Sequence, residues 1–350
     1  MKLNPERLRS FATDLLVAYG VDTAQARVVA DNLVWNEMVG RRNFGFLRLP
    51  LYVERLAAGG LNGDCRPRFD ERGEGIAMLD GDNGFGQYAG ALAMDHAIGE
   101  AVERGTGIVG VRNSNFFGSG AWFVDKAASR GMIGLALSNS FPKVVAHGGL
   151  LPVFGTNPFA FGAPRRNGDH ILVDMATSAL AGSTVRQHKR TGEPLPVGLA
   201  IDGDGNPVTD PNLAEKGALL PFGGAKGYGL SLMVEILAGV LTGAGISGGV
   251  ASMYRDLSEG GNNGHLMMAI DIERFMPLPV YYHRMEGLVR LIRASQPDGE
   301  VLLPGEVRWR EYRDSRRNGI RLDPPVRKSL DEIAAAVGMA LETEREPALA

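Results

Sequence analysis

A glycine-rich segment with a single lysine, Gly223–Gly229, leads into a long apolar stretch that is predicted as a helix over 227–242. Backbone N–H groups at a helix N-terminus attract phosphate, and Lys226 adds a positive charge at the same end. The segment lacks the Gly-Lys-Ser/Thr ending of a Walker A loop. We interpret it as a phosphate-binding helix start, and a capped helix with a solvated lysine is the alternative.

Two other glycine-rich segments favour structural interpretations when they are taken alone. Gly84–Gly90 lies between a predicted strand and a predicted helix, but its spacing is GxGxxxG and Asp82 would stand close to a pyrophosphate. We therefore expect a tight strand-to-helix turn there. Gly155–Pro164 mixes small residues with two prolines, whose backbone angle φ is fixed, and this composition favours a rigid loop in a sheet.

The elements that must position these segments change in type near residue 75. The N-terminal part is helical, with Asn4 and Asp22 as predicted N-caps and a third short helix over 49–58. The strands predicted after it are 76–80, 107–112, 132–138, 159–163, 170–174 and 264–271, and the helices are 87–104, 119–130, 227–242, 284–294 and 328–340. We expect a central α/β core and C-terminal helices that pack against the N-terminal ones.

The composition is that of an ordinary soluble enzyme, with 350 residues of which 44% are hydrophobic and 22% charged. The formal net charge is −3, so no overall basic field indicates a nucleic acid partner. No apolar run reaches the ~18–20 residues that a membrane span requires, and the N-terminus has no secretion signal pattern. The single cysteine, Cys65, cannot form an internal disulfide and has no zinc-ligand cluster around it. We therefore predict a cytoplasmic protein without a membrane, nucleic acid or metal partner.

A series of short motifs follows in a distinctive order between residues 40 and 320. They are Arg48-Leu-Pro50, Val111–Asn115, His147-Gly-Gly149, Gly155–Pro164, Asp174–Ser178, Gly192–Pro196, Asp210-Pro211, Lys226–Leu230, Gly264-His265 with Ala269–Asp271, and Pro304-Gly-Glu306. In sequence and in order they resemble the type-2 malate/L-lactate dehydrogenase family. That family also contains ureidoglycolate dehydrogenase, diketogulonate reductase, sulfolactate dehydrogenase and piperideine-2-carboxylate reductase.

The resemblance implies an α/β fold that is specific to this family and is not a Rossmann fold, with a mixed sheet plus N- and C-terminal helices. Combined with the element pattern, it predicts a helical, substrate-side domain of residues 1–72 and 284–350. The NAD(P)-binding α/β domain would comprise residues 73–283, with a helical insertion near 212–250. The resemblance further implies a homodimer that binds NADH or NADPH between domains, and a small 2-oxo or 2-imino carboxylic acid as substrate.

The positions that contact cofactor and substrate carboxylate in this family are present. Those where the family contacts the dinucleotide are Ser140, Asp174, Met175, Ala176, Lys226, Pro304, Gly305 and Glu306, and Thr156 and Asn157 belong to the neighbouring loop. Arg48 stands where the family places a clamp for the substrate carboxylate. A guanidinium suits that task because it can bind both carboxylate oxygens at once.

Three histidines of the family are replaced. Phe44 and Phe116 stand where the first two occur, and Ala225 stands at the third. Hydride addition to a ketone produces an alkoxide, and a general acid that protonates it contributes ~10²–10⁴-fold in rate, which phenylalanine cannot do. An imine can enter already protonated and accept hydride without further proton transfer. Two phenylalanines also favour a flat or cyclic apolar substrate, and an aromatic face attracts a cation.

Two other residues are candidates for the proton donor that the replaced histidines would have supplied. Lys143 and His147 lie in the loop 138–149, where the family places nicotinamide contacts; a solvated lysine and a turn histidine are the alternatives. The histidines interpreted as structural are His96, His170, His188 and His265. The basic run Arg308–Arg317 is interpreted as a solvated face, with a cofactor-phosphate or interface role as the alternative.

These residues predict an NAD(P)H-dependent oxidoreductase that acts on a small 2-imino or 2-oxo carboxylic acid with an atypical acid/base apparatus. A repurposed pocket with lyase or isomerase activity is one alternative, and a non-catalytic dinucleotide-binding subunit is the other. The retained Lys226 and 304–306 segment favour cofactor binding over the lyase alternative. The retained Arg48 favours a substrate and opposes the purely binding alternative.

Overall fold

The computed structural model describes residues 2–296 and 298–341. Its helices are α1 (Pro5–Ala18), α2 (Thr23–Met38), α3 (Leu49–Ala58), α4 (Gly86–Arg104), α5 (Gly120–Ala128), α6 (Gly182–Thr191), α7 (Pro211–Lys216), α8 (Ala225–Val234), α9 (Leu278–Ala294), α10 (Glu306–Asn318) and α11 (Pro324–Ala335). Its strands are β1 (Arg68–Gly73), β2 (Ile76–Asp80), β3 (Thr106–Ser114), β4 (Met132–Ser138), β5 (Val144–Val145), β6 (Pro152–Phe154), β7 (Phe159–Ala163), β8 (Ile171–Met175), β9 (Ala200–Ile201), β10 (Ala218–Leu219) and β11 (Asn263–Asp271). Residues 1, 297 and 342–350 of the predicted helical domain lie outside the described residues.

The helical part joins the beginning of the chain to its C-terminal helices. The Asn4 side chain accepts hydrogen bonds from the first free amides of α1, and Asp22 caps α2 in the same way. The apolar faces of α1, α2, α3 and α11 pack into one core. Leu3 pairs with Ile320 as an isolated β-bridge, so the N-terminal segment is held directly to the segment between α10 and α11.

The larger sheet has seven strands in the order β1-β2-β3-β11-β4-β7-β8. Strands β2 and β3 run parallel, and the other neighbours pair antiparallel. Helices α4 and α5 pack on this sheet through small residues, among them Ala93, Ala97 and Ala127. The sheet confirms the predicted mixed α/β architecture with N- and C-terminal helices.

A smaller sheet, in the order β6-β5-β10-β9, packs with α6 and α7 around its own apolar cluster. Its strands have two or three residues each and were not predicted. Helix α8 continues as a π-helical segment, Glu235–Val240, where the sequence predicts one helix over 227–242. In the described part of the chain, no helix combines the length and the apolar character needed to cross a bilayer.

Candidate active site

The loop that carries Arg48 is fixed by a buried carboxylate. Residues 42–48 form two short 3-10 turns between α2 and α3. Glu37 of α2 accepts a hydrogen bond from the Phe46 N–H at 2.8 Å, and burial raises the pKa of Glu37 to about 7. A Cβ on Gly45 would stand 2.3 Å from Glu37 Oε1, so only glycine allows this approach. The backbone of the loop is therefore held in place beside Arg48.

Arg48 is only 6% exposed, and within the described part of the chain its guanidinium makes two hydrogen bonds. Its Nε donates to the Asn43 carbonyl at 2.7 Å, and its Nη1 donates to the Tyr254 hydroxyl at 2.6 Å. A guanidinium has five N–H donors, so donors remain for a carboxylate after these two bonds. The role of Arg48 as a carboxylate clamp stays a prediction.

The two phenylalanines at the family's histidine positions meet beside this arginine. The rings of Phe44 and Phe116 stack with centroids 6.2 Å apart and an angle of 20° between their planes. The Cζ of Arg48 lies 5.5 Å from the Phe116 ring centroid. A flat apolar wall thus borders the arginine at the place where proton donors are expected in the family.

Phe141, Arg186 and Tyr254, which no sequence motif indicates, complete the group of side chains around Arg48. The Tyr254 ring lies 4.6 Å from Arg186 Cζ and stands edge-on to Phe141 at 6.2 Å. Burial lowers the pKa of Arg186, and the charge of nearby Arg48 acts in the same direction. Arg186 belongs to α6, and Phe141 and Tyr254 belong to two separate loops, so only the tertiary fold brings these residues together near Arg48. We call Phe44, Arg48, Phe116, Phe141, Arg186 and Tyr254 the arginine–aromatic cluster.

The two candidate acids face other partners. Lys143 Nζ donates to the backbone carbonyls of Glu215 and, at 3.5 Å, Gly217, and burial lowers the pKa of Lys143. His147 lines a cavity of about 530 Å³ at the start of α8. A Cβ on Gly224 would come within 3.5 Å of the His147 ring. Lys143 is therefore held by carbonyls at the end of α7, whereas His147 lines the cavity.

The predicted cofactor residues Ser140, Thr156 and Asn157 form one hydrogen-bonded unit. The Thr156 N–H donates to Ser140 Oγ at 3.0 Å, and the Ser140 N–H donates to Asn157 Oδ1 at 3.2 Å. Asn157 is buried and also donates to the Glu235 carboxylate at 2.7 Å. A Cβ on Gly155 would lie 2.1 Å from Ser140 Oγ, so glycine permits the two loops to meet. The unit is thereby fixed to the helical segment that follows α8.

The remaining predicted cofactor residues lie along β8. Those at the end of the strand are Asp174, Met175 and Ala176, and those beside its beginning are Pro304, Gly305 and Glu306. The Pro304 carbonyl accepts a hydrogen bond from the Leu172 N–H at 3.0 Å. Glu306 begins α10, and its carboxylate accepts a hydrogen bond from the Leu303 N–H at 2.7 Å. The 304–306 segment is therefore fixed against the strand that carries the 174–176 segment.

The interpretation of the basic run Arg308–Arg317 as a solvated face is wrong for Arg308, which is buried. It is 5% exposed, and its Nη2 pairs with Asp174 Oδ2 at 3.1 Å. Burial lowers the pKa of Arg308, and its Nη1 has no hydrogen-bond partner among the described residues. A buried cationic donor next to the predicted cofactor segment suits an anionic group such as a phosphate.

Lys226 lies exposed in the first turn of α8. The preceding Phe222 N–H donates at 3.1 Å to the carbonyl of Thr177, which lies two residues beyond the end of β8. The start of α8 is thus tied to the chain just beyond the end of β8, and the Arg308 guanidinium of α10 reaches Asp174 at the same end of the strand. Helix N-termini and cations are the donors that phosphates prefer. The residues present therefore fit a nicotinamide dinucleotide.

His265 is a structural histidine in the centre of the large sheet. Its ring nitrogens lie 2.9 Å from Ser138 Oγ and 2.9 Å from Ser114 Oγ, and Phe117 stacks on it at 4.9 Å. Complete burial lowers its pKa to about 3. A neutral imidazole therefore joins β11 to both of its neighbouring strands.

Three curated relatives align over nearly the whole chain. Malate/(S)-sulfolactate dehydrogenase from Methanothermus fervidus is 35% identical and covers 97% of this chain and 99% of its own length. Ureidoglycolate dehydrogenase (NAD(+)) from Escherichia coli O157:H7 is 34% identical, with 92% and 93% covered. Delta(1)-pyrroline-2-carboxylate/Delta(1)-piperideine-2-carboxylate reductase from Pseudomonas syringae pv. tomato is 36% identical, with 91% and 92% covered.

The fold points to the same group of enzymes. The solved structure of sulfolactate dehydrogenase from Methanocaldococcus jannaschii superposes with a TM-score of 0.90 at 33% identity, covering 97% of this chain and 98% of that one. A profile of the malate/L-lactate dehydrogenase family matches residues 3–331. The chain therefore belongs to the malate/L-lactate dehydrogenase family, an oxidoreductase family of nicotinamide-dependent dehydrogenases and reductases of small carboxylic acids.

Proposed function

We propose that this protein is an NAD(P)H-dependent reductase of a small 2-imino or 2-oxo carboxylic acid, with an atypical acid/base apparatus. The observation that carries the proposal is the buried Arg48 with free donors beside the stacked Phe44 and Phe116. The guanidinium fits a carboxylate, and the aromatic wall fits a flat or cationic group attached to it. A cyclic 2-imino acid combines both features, and the Pseudomonas syringae relative bears the name of such a reductase.

The proposed roles follow from the contacts of each group. The residues that would hold NADH or NADPH are Ser140, Thr156, Asn157, Asp174, Met175, Ala176, Lys226, Pro304, Gly305 and Glu306. When bound, the nicotinamide supplies a hydride to the substrate carbon. Arg48 binds and orients the substrate carboxylate, while Phe44 and Phe116 exclude water from the reacting bond. Because a protonated imine brings its own proton, this pocket reduces it without a histidine.

We also propose that the protein is a cytoplasmic homodimer. Leu232, Ile236 and Val240 are all exposed and recur every four residues along α8 and its π-helical continuation, so they share one face. An exposed apolar face of this kind marks an interaction surface, and a two-fold axis allows it to pack on its own copy. Light scattering at micromolar concentration should give the dimer mass, and a monomer mass would contradict the proposal.

A fluorescence titration with NADH and NADPH tests the proposal, followed by titration with a carboxylate. We expect a nucleotide to bind first and a 2-oxo or 2-imino acid to bind to that complex. Carboxylate binding without nucleotide binding would favour a lyase or isomerase. Nucleotide binding without carboxylate binding would favour a non-catalytic subunit.

A further inference from the structure

We infer that Tyr254 is the catalytic acid that protonates the 2-oxygen of a 2-oxo acid; the inference rests on the proposed reductase function. The Tyr254 hydroxyl accepts a hydrogen bond from Arg48 Nη1 at 2.6 Å. A hydroxyl that accepts this bond keeps its own proton for another acceptor. Tyr254 is 37% exposed, so that proton is accessible to a ligand.

The position of the hydroxyl matches the covalent structure of a 2-oxo acid. The carbonyl carbon of such a substrate is bonded directly to its carboxylate carbon. When the carboxylate lies on Arg48, the 2-oxygen lies beside the same guanidinium, next to Tyr254 Oη. Tyrosine acts as a general acid when it lies within hydrogen-bond reach of the reacting oxygen.

Two guanidinium groups face the ring that would carry the negative charge after proton transfer. Arg186 Cζ lies 4.6 Å from the Tyr254 ring centroid and Arg48 Cζ lies 5.9 Å from it. Positive charges at this distance stabilise the phenolate oxygen as it forms. Arg186 thereby gains a role, as a positioning and charge-compensating residue next to the acid.

The segment that carries Tyr254 is fixed to the loops of the other cluster residues. The Arg55 guanidinium donates to the Glu259 carbonyl at 2.6 Å and to Asn115 Oδ1 at 3.1 Å. Asn115 Oδ1 also accepts from the Gly261 N–H at 2.8 Å, and Asn115 directly precedes Phe116. Arg55 lies on α3, which begins directly after Arg48. The buried Arg55 and Asn115 side chains therefore tie α3 and the loop before Phe116 to residues 259–261, which follow Tyr254 in the same segment.

Other proton donors in this region are less well placed. The Lys143 ammonium donates to two backbone carbonyls, and His147 faces the cavity beside Gly224. Tyr52 is 2% exposed and burial raises its pKa to about 12. Among these groups, the Tyr254 hydroxyl combines direct contact with Arg48 and exposure to a ligand.

The step balances with the cofactor as hydride source. The carbonyl carbon gains the hydride, the electron pair of the C–O π bond moves to the oxygen, and that oxygen takes the proton of Tyr254 Oη. Water returns a proton to the phenolate after the product leaves. A protonated cyclic imine gains only the hydride and needs nothing from Tyr254.

Replacement of Tyr254 by phenylalanine removes only the hydroxyl. The matched control is Tyr19→Phe, which removes a hydroxyl that donates to the Ile333 carbonyl in the helical part. Calorimetry without turnover compares oxamate, an unreactive 2-oxo acid analogue, with propionate, which has a carboxylate but no 2-oxygen. We expect Tyr254→Phe to weaken oxamate binding about tenfold through the lost hydrogen bond and to weaken propionate binding by a smaller factor, because propionate loses only the support that the hydroxyl gives to Arg48. Equal weakening of both ligands would overturn the inference, because it would show only support of Arg48.

Rates give the second readout. Tyr254→Phe should lower kcat for 2-oxo acids by ~10²–10⁴-fold and lower kcat for cyclic imines by a much smaller factor, because a protonated imine takes no proton from Tyr254 and loses only the support of Arg48. An unchanged kcat for 2-oxo acids would overturn the role of Tyr254 and leave the proposed function standing. If the wild-type protein bound neither nucleotide, the proposed function itself would fail, and the inference would fail with it.

Discussion

Replacing Arg48 with glutamine should weaken binding of oxamate and leave nucleotide binding intact. Two donors of Arg48 are used by the Asn43 carbonyl and the Tyr254 hydroxyl, so the other donors are those that hold a ligand. Loss of one charge-assisted hydrogen bond costs ~1.5–3 kcal/mol, which is about 10- to 150-fold in Kd. Arg48→Lys keeps the charge but loses the planar fork, so its affinity should lie between those of glutamine and arginine.

Calorimetry with oxamate measures this loss, and a fluorescence titration measures nucleotide binding in the same variants. Arg42→Gln is the matched control, because Arg42 belongs to the same loop but is exposed and pairs with Asp323 at 3.2 Å. Thermal unfolding shows whether each variant is folded. If folded Arg48→Gln bound oxamate as tightly as the wild type does, Arg48 would not be the clamp and the placement of the substrate would be wrong.

Three further changes test other parts of the account. Lys226→Ala should weaken NADH or NADPH binding by ~1.5–3 kcal/mol, because a charge-assisted hydrogen bond is lost; unchanged affinity in a fluorescence titration would remove Lys226 from the phosphate site. The double variant Phe44→His with Phe116→His should gain little 2-oxo acid reduction and lose imine reduction in initial-rate assays, since Ala225 still occupies the third histidine position; a large gain would show that the missing histidines alone set the chemistry. The free energy of unfolding of the wild type should fall by up to ~1.4 kcal/mol per pH unit relative to His265→Asn as the pH drops from about 6.5 towards 3. The reason is that the unfolded imidazole binds a proton that the buried ring, with its pKa lowered to about 3, does not bind; urea unfolding curves with the same pH dependence in both proteins would contradict this.

The sequence predicts best those elements whose pattern is local. Strands β2, β4 and β7 have the predicted bounds, because each is a short apolar run that ends at turn-forming residues. Helix α9 begins at Leu278 and not at 284, because the prolines near its start conceal its first turns. The two- and three-residue strands of the smaller sheet carry no periodicity of their own, so their pairing depends on the tertiary fold.

The candidate site shows the same division between local and tertiary information. Arg48, Phe44 and Phe116 are found from motifs, because each stands at a fixed place in a family pattern. Tyr254 and Arg186 have no such signal, because Tyr254 meets Arg48, and Arg186 meets Tyr254, only through the packing of three distant segments. The sequence predicts a solvated Arg308 because the other residues of the basic run Arg308–Arg317 are mostly charged. In the structure its side chain points inward and pairs with Asp174. The two-domain division and the roles of Lys143 and His147 stay predictions.

The most direct test of the proposed reductase function is the oxidation of NADPH and NADH by the wild-type protein with a panel of cyclic 2-imino acids and 2-oxo acids. We expect nucleotide oxidation with at least one small carboxylate of this panel, and the fastest oxidation with a flat, cyclic 2-imino acid. Absence of oxidation across the whole panel, in a protein shown to be folded, would contradict the proposed reductase function.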